Sequence, residues 1–227
     1  ETITDIDLYK KFLEIDHTSL DGEPLKYYKD LERDFIDAGH NLDEKEKTSL
    51  IEIEKRLIDL EIGFSKNIAD DKSEVIFDHS ELYGLSQGEL NNLKKESDKF
   101  VVTMAYPDVN AVMENCKIRE SREKVWKAFN NRAINENSPI LEEAIMLRNK
   151  KAKLFGFKTW AEYRLQHRMA KSPKNVDDMY SNLIPKLQES ATKEKTGLVI
   201  DQIEVSDINP WDIRYFITNK RNSQSNV

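Results

Sequence analysis

From Asp43 to Ala69 the chain runs without a proline, and its apolar residues recur at helical spacing. Leu50, Ile53, Leu57, Leu60 and Phe64 follow one another at three or four positions, and Ile51, Ile58 and Ile62 widen the stripe. Residues so spaced share one side of a 3.6-residue helix. Asp43, followed three positions later by Glu46, supplies a start signal. Such a helix is roughly 40 Å long at 1.5 Å per residue, so it predicts a spine against which other helices pack. A buried core face is the first reading of the stripe, and a membrane face or coiled-coil seam is the functional alternative.

The remainder of the chain agrees with a mainly α fold. Only 7 Gly and 6 Pro interrupt 227 residues, which favours long helices over many strands joined by turns. Hydrophobic residues at 38% suffice for a core, while 34% charged residues and a mean hydropathy of −0.70 predict a well-solvated surface. The net charge is −7 with both signs interleaved, which argues against a nucleic-acid partner, since phosphate binding needs clustered Lys and Arg. No apolar run is long enough to span a bilayer, and no charged-then-apolar leader opens the sequence. Cys116 stands alone, so no intrachain disulfide is expected. A soluble intracellular protein is the expectation.

Before the spine, Leu8, Phe12 and Ile15 predict a helix around residues 7–15. Tyr28, Leu31 and Phe35 predict another around 24–38, stopped by Gly39. After it the pattern changes: "EVIFD" and "KFVVTMAY" predict two short strands, a β ribbon within about 74–106, the second strand ended by Pro107. Between them Ser86 and Glu89 form a capping box that opens a short helix. Val109, Val112, Met113 and Cys116 then fall on one apolar face, where a free cysteine behaves as a small hydrophobe. Trp126, Phe129 and Ala133 mark the inner face of the next helix. Ser138 before Pro139 starts another, with Ile140, Ala144, Leu147 and Leu154 inward. Gly156 can take the left-handed conformation that closes a helix. Thr159 and Glu162 make a further capping box, so Phe155, Phe157, Trp160 and Tyr163 form an aromatic corner. Ser172 before Pro173 opens a helix carrying Val176, Met179, Leu183 and Leu187, kinked at Pro185. Residues 218–227 read as a polar, frayed tail.

The residue types that carry chemistry do not cluster. His17, His40, His79 and His167 include no i, i+4 pair, so no single helix presents two imidazoles to a metal. No phosphate loop, nucleophile elbow or Cys-x-x-Cys occurs. Glu142–Glu143 and Asp177–Asp178 read as solvated helical faces. No catalytic or metal-binding residue is assigned, and substrate-binding residues are left open.

One stretch carries a resemblance. Arg122, Lys124, Val125, Ala128, Phe129, Asn130 and Arg132 fit the pattern R-x-K-V-x-x-A-F-N-x-R. Leu147, Arg148, Lys151, Leu154, Gly156, Phe157, Thr159, Ala161 and Tyr163 fit LR-x-x-K-x-x-L-L-G-F-x-T-x-A-x-Y, and Met169, Ala170 and Lys171 fit M-A-K. "LIDLEIGFSKNI" and "PWDIRYF" flank them as weaker matches. In this order they resemble the thimet oligopeptidase, neurolysin and saccharolysin group of zinc metallopeptidases.

The resemblance implies two largely helical domains facing across a deep channel that admits short peptides, with residues 1–217 as helical channel wall opposite the zinc helix. That group's His-Glu-x-x-His helix, its third zinc ligand and its Tyr and His substrate groups all follow the W-D-x-R-Y segment. This sequence stops at Val227, shortly after that segment. The expectation is a fragment of a zinc metalloendopeptidase without the catalytic zinc domain, binding no zinc and inactive alone. Its full-length form would use zinc, act on short peptides and reside in the cytoplasm, with a mitochondrial pool as a second location. A stand-alone helical interaction protein is the alternative.

Overall fold

The computed structural model describes residues 3–198 and 208–225. The chain divides into two compact units: Glu1–Gly63 with Pro139–Pro173, and Phe64–Ser138 with Lys174–Val227. Among the described residues no helix is long and apolar enough to cross a membrane.

The first unit holds α1 (Ile6–Leu13), α2 (Gly22–Asp37), most of α3 (Glu44–Asp70), the later part of α7 (Ile134–Leu154) and α8 (Trp160–Leu165). Phe12, Tyr28 and Phe35 form one buried cluster, whereas Ile15 lies beyond the end of α1 and is exposed. Gly39 follows α2 at φ +86°, and a Cβ there would stand 2.7 Å from a Leu50 methyl, so any other residue would be strained and would crowd Leu50. At the start of α3 the Glu46 N–H donates to Asp43 at 2.8 Å and the Asp43 N–H donates to Glu46 at 3.2 Å, a complete capping box. Leu50, Ile53 and Leu60 are buried as the stripe predicts. Ile51, Ile58 and Ile62 are exposed at 60, 58 and 63%, which corrects the wider stripe. Each lies about 100° or more of helical rotation from a buried neighbour, outside the face that packs. Charged pairs tie α3 to α7: Arg56 grips Glu143 through two hydrogen bonds of 2.7 Å, and Lys151 reaches Glu54 at 2.6 Å.

The aromatic corner follows α7. Gly156 takes φ +79°, and the Gly156 and Phe157 N–H groups donate to the carbonyls of Lys153 and Ala152 at 3.0 Å, satisfying the helix end. The Glu162 N–H donates to the Thr159 hydroxyl, but the Glu162 carboxylate accepts from the Lys158 N–H rather than from Thr159. The expected capping box is therefore only half formed. Tyr163 is the buried centre of the corner, stacked on Phe155 with ring centroids 5.2 Å apart and edge-on to Phe157. Its hydroxyl donates to Asp37 at 2.8 Å, and burial together with that carboxylate pushes the phenol up.

The second unit holds β1 (Glu74–Phe77), α4 (Gln87–Asn92), β2 (Lys94–Glu96), β3 (Lys99–Thr103), α5 (Tyr106–Asn115), α6 (Arg119–Asn130), all but the first residue of α9 (Pro173–Leu198) and α10 (Pro210–Ser225). The strands form an antiparallel sheet in the order β1-β3-β2, with Val75 opposite Val102 and Phe77 opposite Phe100. β1 and β3 are the two expected strands. β2 is an addition: all three of its residues are exposed and none is apolar, so no alternation betrays it. Phe77, Leu82, Leu90, Val102, Val112, Cys116 and Val125 belong to one buried core.

Several expected boundaries move. Pro107 sits in the first turn of α5 rather than ending a strand; β3 ends at Thr103, whose N–H and hydroxyl both donate to Asp108. α7 starts at Ile134, with Pro139 inside it. The break before it lies at Ala133, which takes φ +51° while its N–H donates to Asp71 at 2.9 Å, a tertiary bond that the local Ser-Pro signal does not reveal. The buried face of α6 is Ser121, Arg122 and Val125, with Trp126 and Phe129 only half-buried. α9 opens at Pro173 as expected and continues through Pro185, but Met179, Leu183 and Leu187 are exposed. Residues 218–225 are helical rather than frayed: Thr218 is buried and Lys220 donates to the Gly197 carbonyl.

Candidate functional site

The most buried charged group of the second unit joins α6 to α10. Arg119 and Arg122 stand three residues apart, hence on one face of α6. α10 opens with Pro210, and Asp212 is its third residue. The Asp212 N–H donates to the Asn209 carbonyl at 2.9 Å and its carboxylate accepts the Asn209 N–H at 3.1 Å, closing the helix N-terminus. The same carboxylate accepts from Arg119 Nη2 at 2.8 Å and from Arg122 Nη2 at 2.7 Å. Arg122 also donates to the carbonyls of Cys116 and Trp211, and its guanidinium lies 4.3 Å from the centre of the Tyr215 ring.

Asp212 is fully buried, the Arg122 side chain is 2% exposed and that of Arg119 is 36% exposed. Burial by itself would raise the Asp212 carboxyl. The hydrogen bonds from Arg119, Arg122 and the Asn209 backbone outweigh it and hold the group below the usual carboxylate range. Two guanidiniums share one carboxylate. Arg119 keeps access to solvent, and Arg122 lies over the negative face of the Tyr215 ring. With both oxygens occupied by donors, Asp212 is an anchor rather than a general base.

The other candidates are dispersed. Cys116 is buried, its sulfur 3.3 Å from the Glu81 carbonyl oxygen, and burial pushes the thiol up. In the first unit His17 stacks on Tyr28 and His40 Nε2 lies 2.7 Å from the Ile3 carbonyl oxygen, while His167 lines a groove with Arg33, Asp37 and Tyr163. In the second unit His79 leans on Phe100. Glu143 pairs with Arg56, and Asp178 with Lys174. Among the described residues no three His, Cys, Asp or Glu side chains come together as a metal-binding group. Sequence reading matched Arg122 and Asp212 to separate motifs but did not join them, and it passed over Arg119. No local signal spans the roughly ninety residues that separate the partners in a chain read by helical periodicity.

A model of Peptidase family M3 matches residues 112–227, a span that contains both sides of this cluster. A thimet-like oligopeptidase of Dictyostelium discoideum is 33% identical over 192 residues, covering 83% of this chain and 28% of that protein. Saccharolysin of Saccharomyces cerevisiae is 30% identical over 216 residues, covering 87% of this chain and 30% of that protein. Oligopeptidase A of Salmonella typhimurium is 30% identical over 203 residues, with 81% and 30% covered. The chain spans about three tenths of the length of these relatives.

Proposed function

Since this chain belongs to peptidase family M3, we propose that it forms non-catalytic wall in a zinc metalloendopeptidase that cleaves short peptides within a deep channel. The observation that carries this reading is the use to which the motif residues are put. Arg122, Asp212 and Tyr215 lock α10 onto α6. Gly156, Phe157, Thr159 and Tyr163 build the corner between α7 and α8. They position backbone and bury rings; none has a nucleophile's or a base's environment. Zinc, where bound, would polarise the scissile carbonyl and activate water, on residues other than those described in this chain. The exposed apolar rows Ile51, Ile58 and Ile62 on α3, and Met179, Leu183 and Leu187 on α9, suit surfaces covered by further protein.

The test is cleavage of an internally quenched fluorescent peptide. The 227-residue chain should give no turnover. The same chain joined to the downstream part of an M3 peptidase should give chelator-sensitive cleavage of short peptides and spare folded proteins. Chelator-sensitive turnover by this chain alone, free of contaminating protease, would overturn the reading.

A further inference from the structure

Three motif-matching residues of the second unit, Phe129, Asn130 and Arg214, take no part in the Asp212 cluster. All three line one cleft of about 150 Å³. α5 supplies Tyr106, Val109 and Met113 to the same cleft, and α6 adds Trp126. Val109 and Met113 are buried, so part of the lining is dry and apolar. The aromatic walls brace one another: Tyr106 meets Phe129 edge-on at 5.6 Å, and Trp126 meets Trp211 edge-on at 5.6 Å. Tyr106 is nevertheless 65% exposed, which leaves the cleft open to solvent.

Arg214 adds charge. It is exposed and donates to the neutral Asn110 side-chain oxygen at 2.5 Å, and among the described residues no carboxylate pairs with it. A guanidinium has five N–H donors in a planar fork suited to a carboxylate, so most of its capacity is unused. Space of about 150 Å³ between apolar walls is what a benzene ring occupies in a protein cavity. A small aliphatic group would leave much of that space unfilled.

We propose that this cleft binds one aromatic side chain whose neighbouring carboxylate pairs with Arg214. In a short peptide that carboxylate belongs either to a C-terminal aromatic residue or to an Asp or Glu beside the ring. Peptides as the source of the ligand rest on the function proposed above; the match of ring and carboxylate rests on the cleft alone.

The test is titration of the 227-residue chain with acetyl-Gly-Phe, acetyl-Gly-Phe-amide, acetyl-Gly-Phe-Glu-amide and acetyl-Gly-Ala, followed by the NMR shift of the Trp126 indole N–H. Either carboxylate-bearing Phe peptide should saturate the shift about ten-fold or more tighter than acetyl-Gly-Phe-amide, the usual scale of a charge-assisted bond. Acetyl-Gly-Ala should fail to saturate it. The free acid against the Glu peptide identifies the source of the carboxylate. Arg214→Gln should abolish the preference for a carboxylate while retaining ring binding, and Tyr106→Ala, at an exposed position, should weaken all three Phe peptides. No saturable shift, binding of both the free acid and the Glu peptide no tighter than that of the amide, or an unchanged preference in Arg214→Gln would overturn the proposal. Because binding is read without turnover, each of those failures leaves the wall reading to its own cleavage assay.

Discussion

Asp212→Ala tests the central contact most directly. The substitution leaves Arg122 charged at 2% exposure, with only the carbonyls of Cys116 and Trp211 and the ring of Tyr215 around it. A charge-assisted hydrogen bond lost from such a site costs about 1.5–3 kcal/mol, and breaking a buried pair from one side costs about 3–5 kcal/mol. The Asn209 N–H loses its acceptor as well, at about 1 kcal/mol, the scale of a helix cap. Arg119 is partly exposed and can turn to water, so its loss adds little. The sum points to about 4 kcal/mol, a large share of the 5–15 kcal/mol that stabilises a typical domain. The geometry also predicts an order. Arg122→Met leaves Asp212 bonded to Arg119 and Asn209 and keeps much of the buried volume, so it should cost less than Asp212→Ala, and Arg119→Met least. Urea unfolding followed by Trp126 and Trp211, with Trp160 changed to Phe to silence the first unit, measures all three. An Asp212→Ala cost below about 1 kcal/mol, small beside the buried-pair range, or a larger cost for Arg122→Met, would refute the assignment of Asp212 as the anchor of α10.

The Asp212 pKa is lowered in the folded state, so its stabilisation is complete above the unfolded carboxylate value of 3.8 and is lost as pH falls through the lower folded value. Urea midpoints of the second unit should therefore fall below pH 4, and Asp212→Asn should flatten that dependence. Gly156→Val meets open space but must hold φ +79°, which should cost about 1–2 kcal/mol in a denaturant midpoint. Gly84→Ala should cost more, because at φ +112° its Cβ would run into the Asn115 carbonyl oxygen and stand 2.9 Å from the Lys117 nitrogen. Cys116 should react slowly with a thiol reagent in the native protein and rapidly in urea, as its burial and raised thiol require.

Local chemistry determined a good deal of this chain. The α3 spine, its Asp43–Glu46 cap, the stops at Gly39 and Gly156 and the apolar face holding Cys116 all follow from side chains one to four positions apart. A helix closes its hydrogen bonds within a turn, so its start, stop and inner face are written within a turn. The order of the motifs was likewise sufficient to place the chain among the M3 peptidases. What tertiary structure alone decided has partners far apart in sequence. Asp71 sets the break before α7 through Ala133, and the polar strand β2 exists because β3 offers it an edge. Ile51, Ile58 and Ile62 stay exposed because nothing in the described first unit covers that side of α3. The Asp212 cluster is the clearest case: its charges look like ordinary solvated residues in sequence. Only the packing of α10 on α6 removes their water, and a charge without water must find a partner.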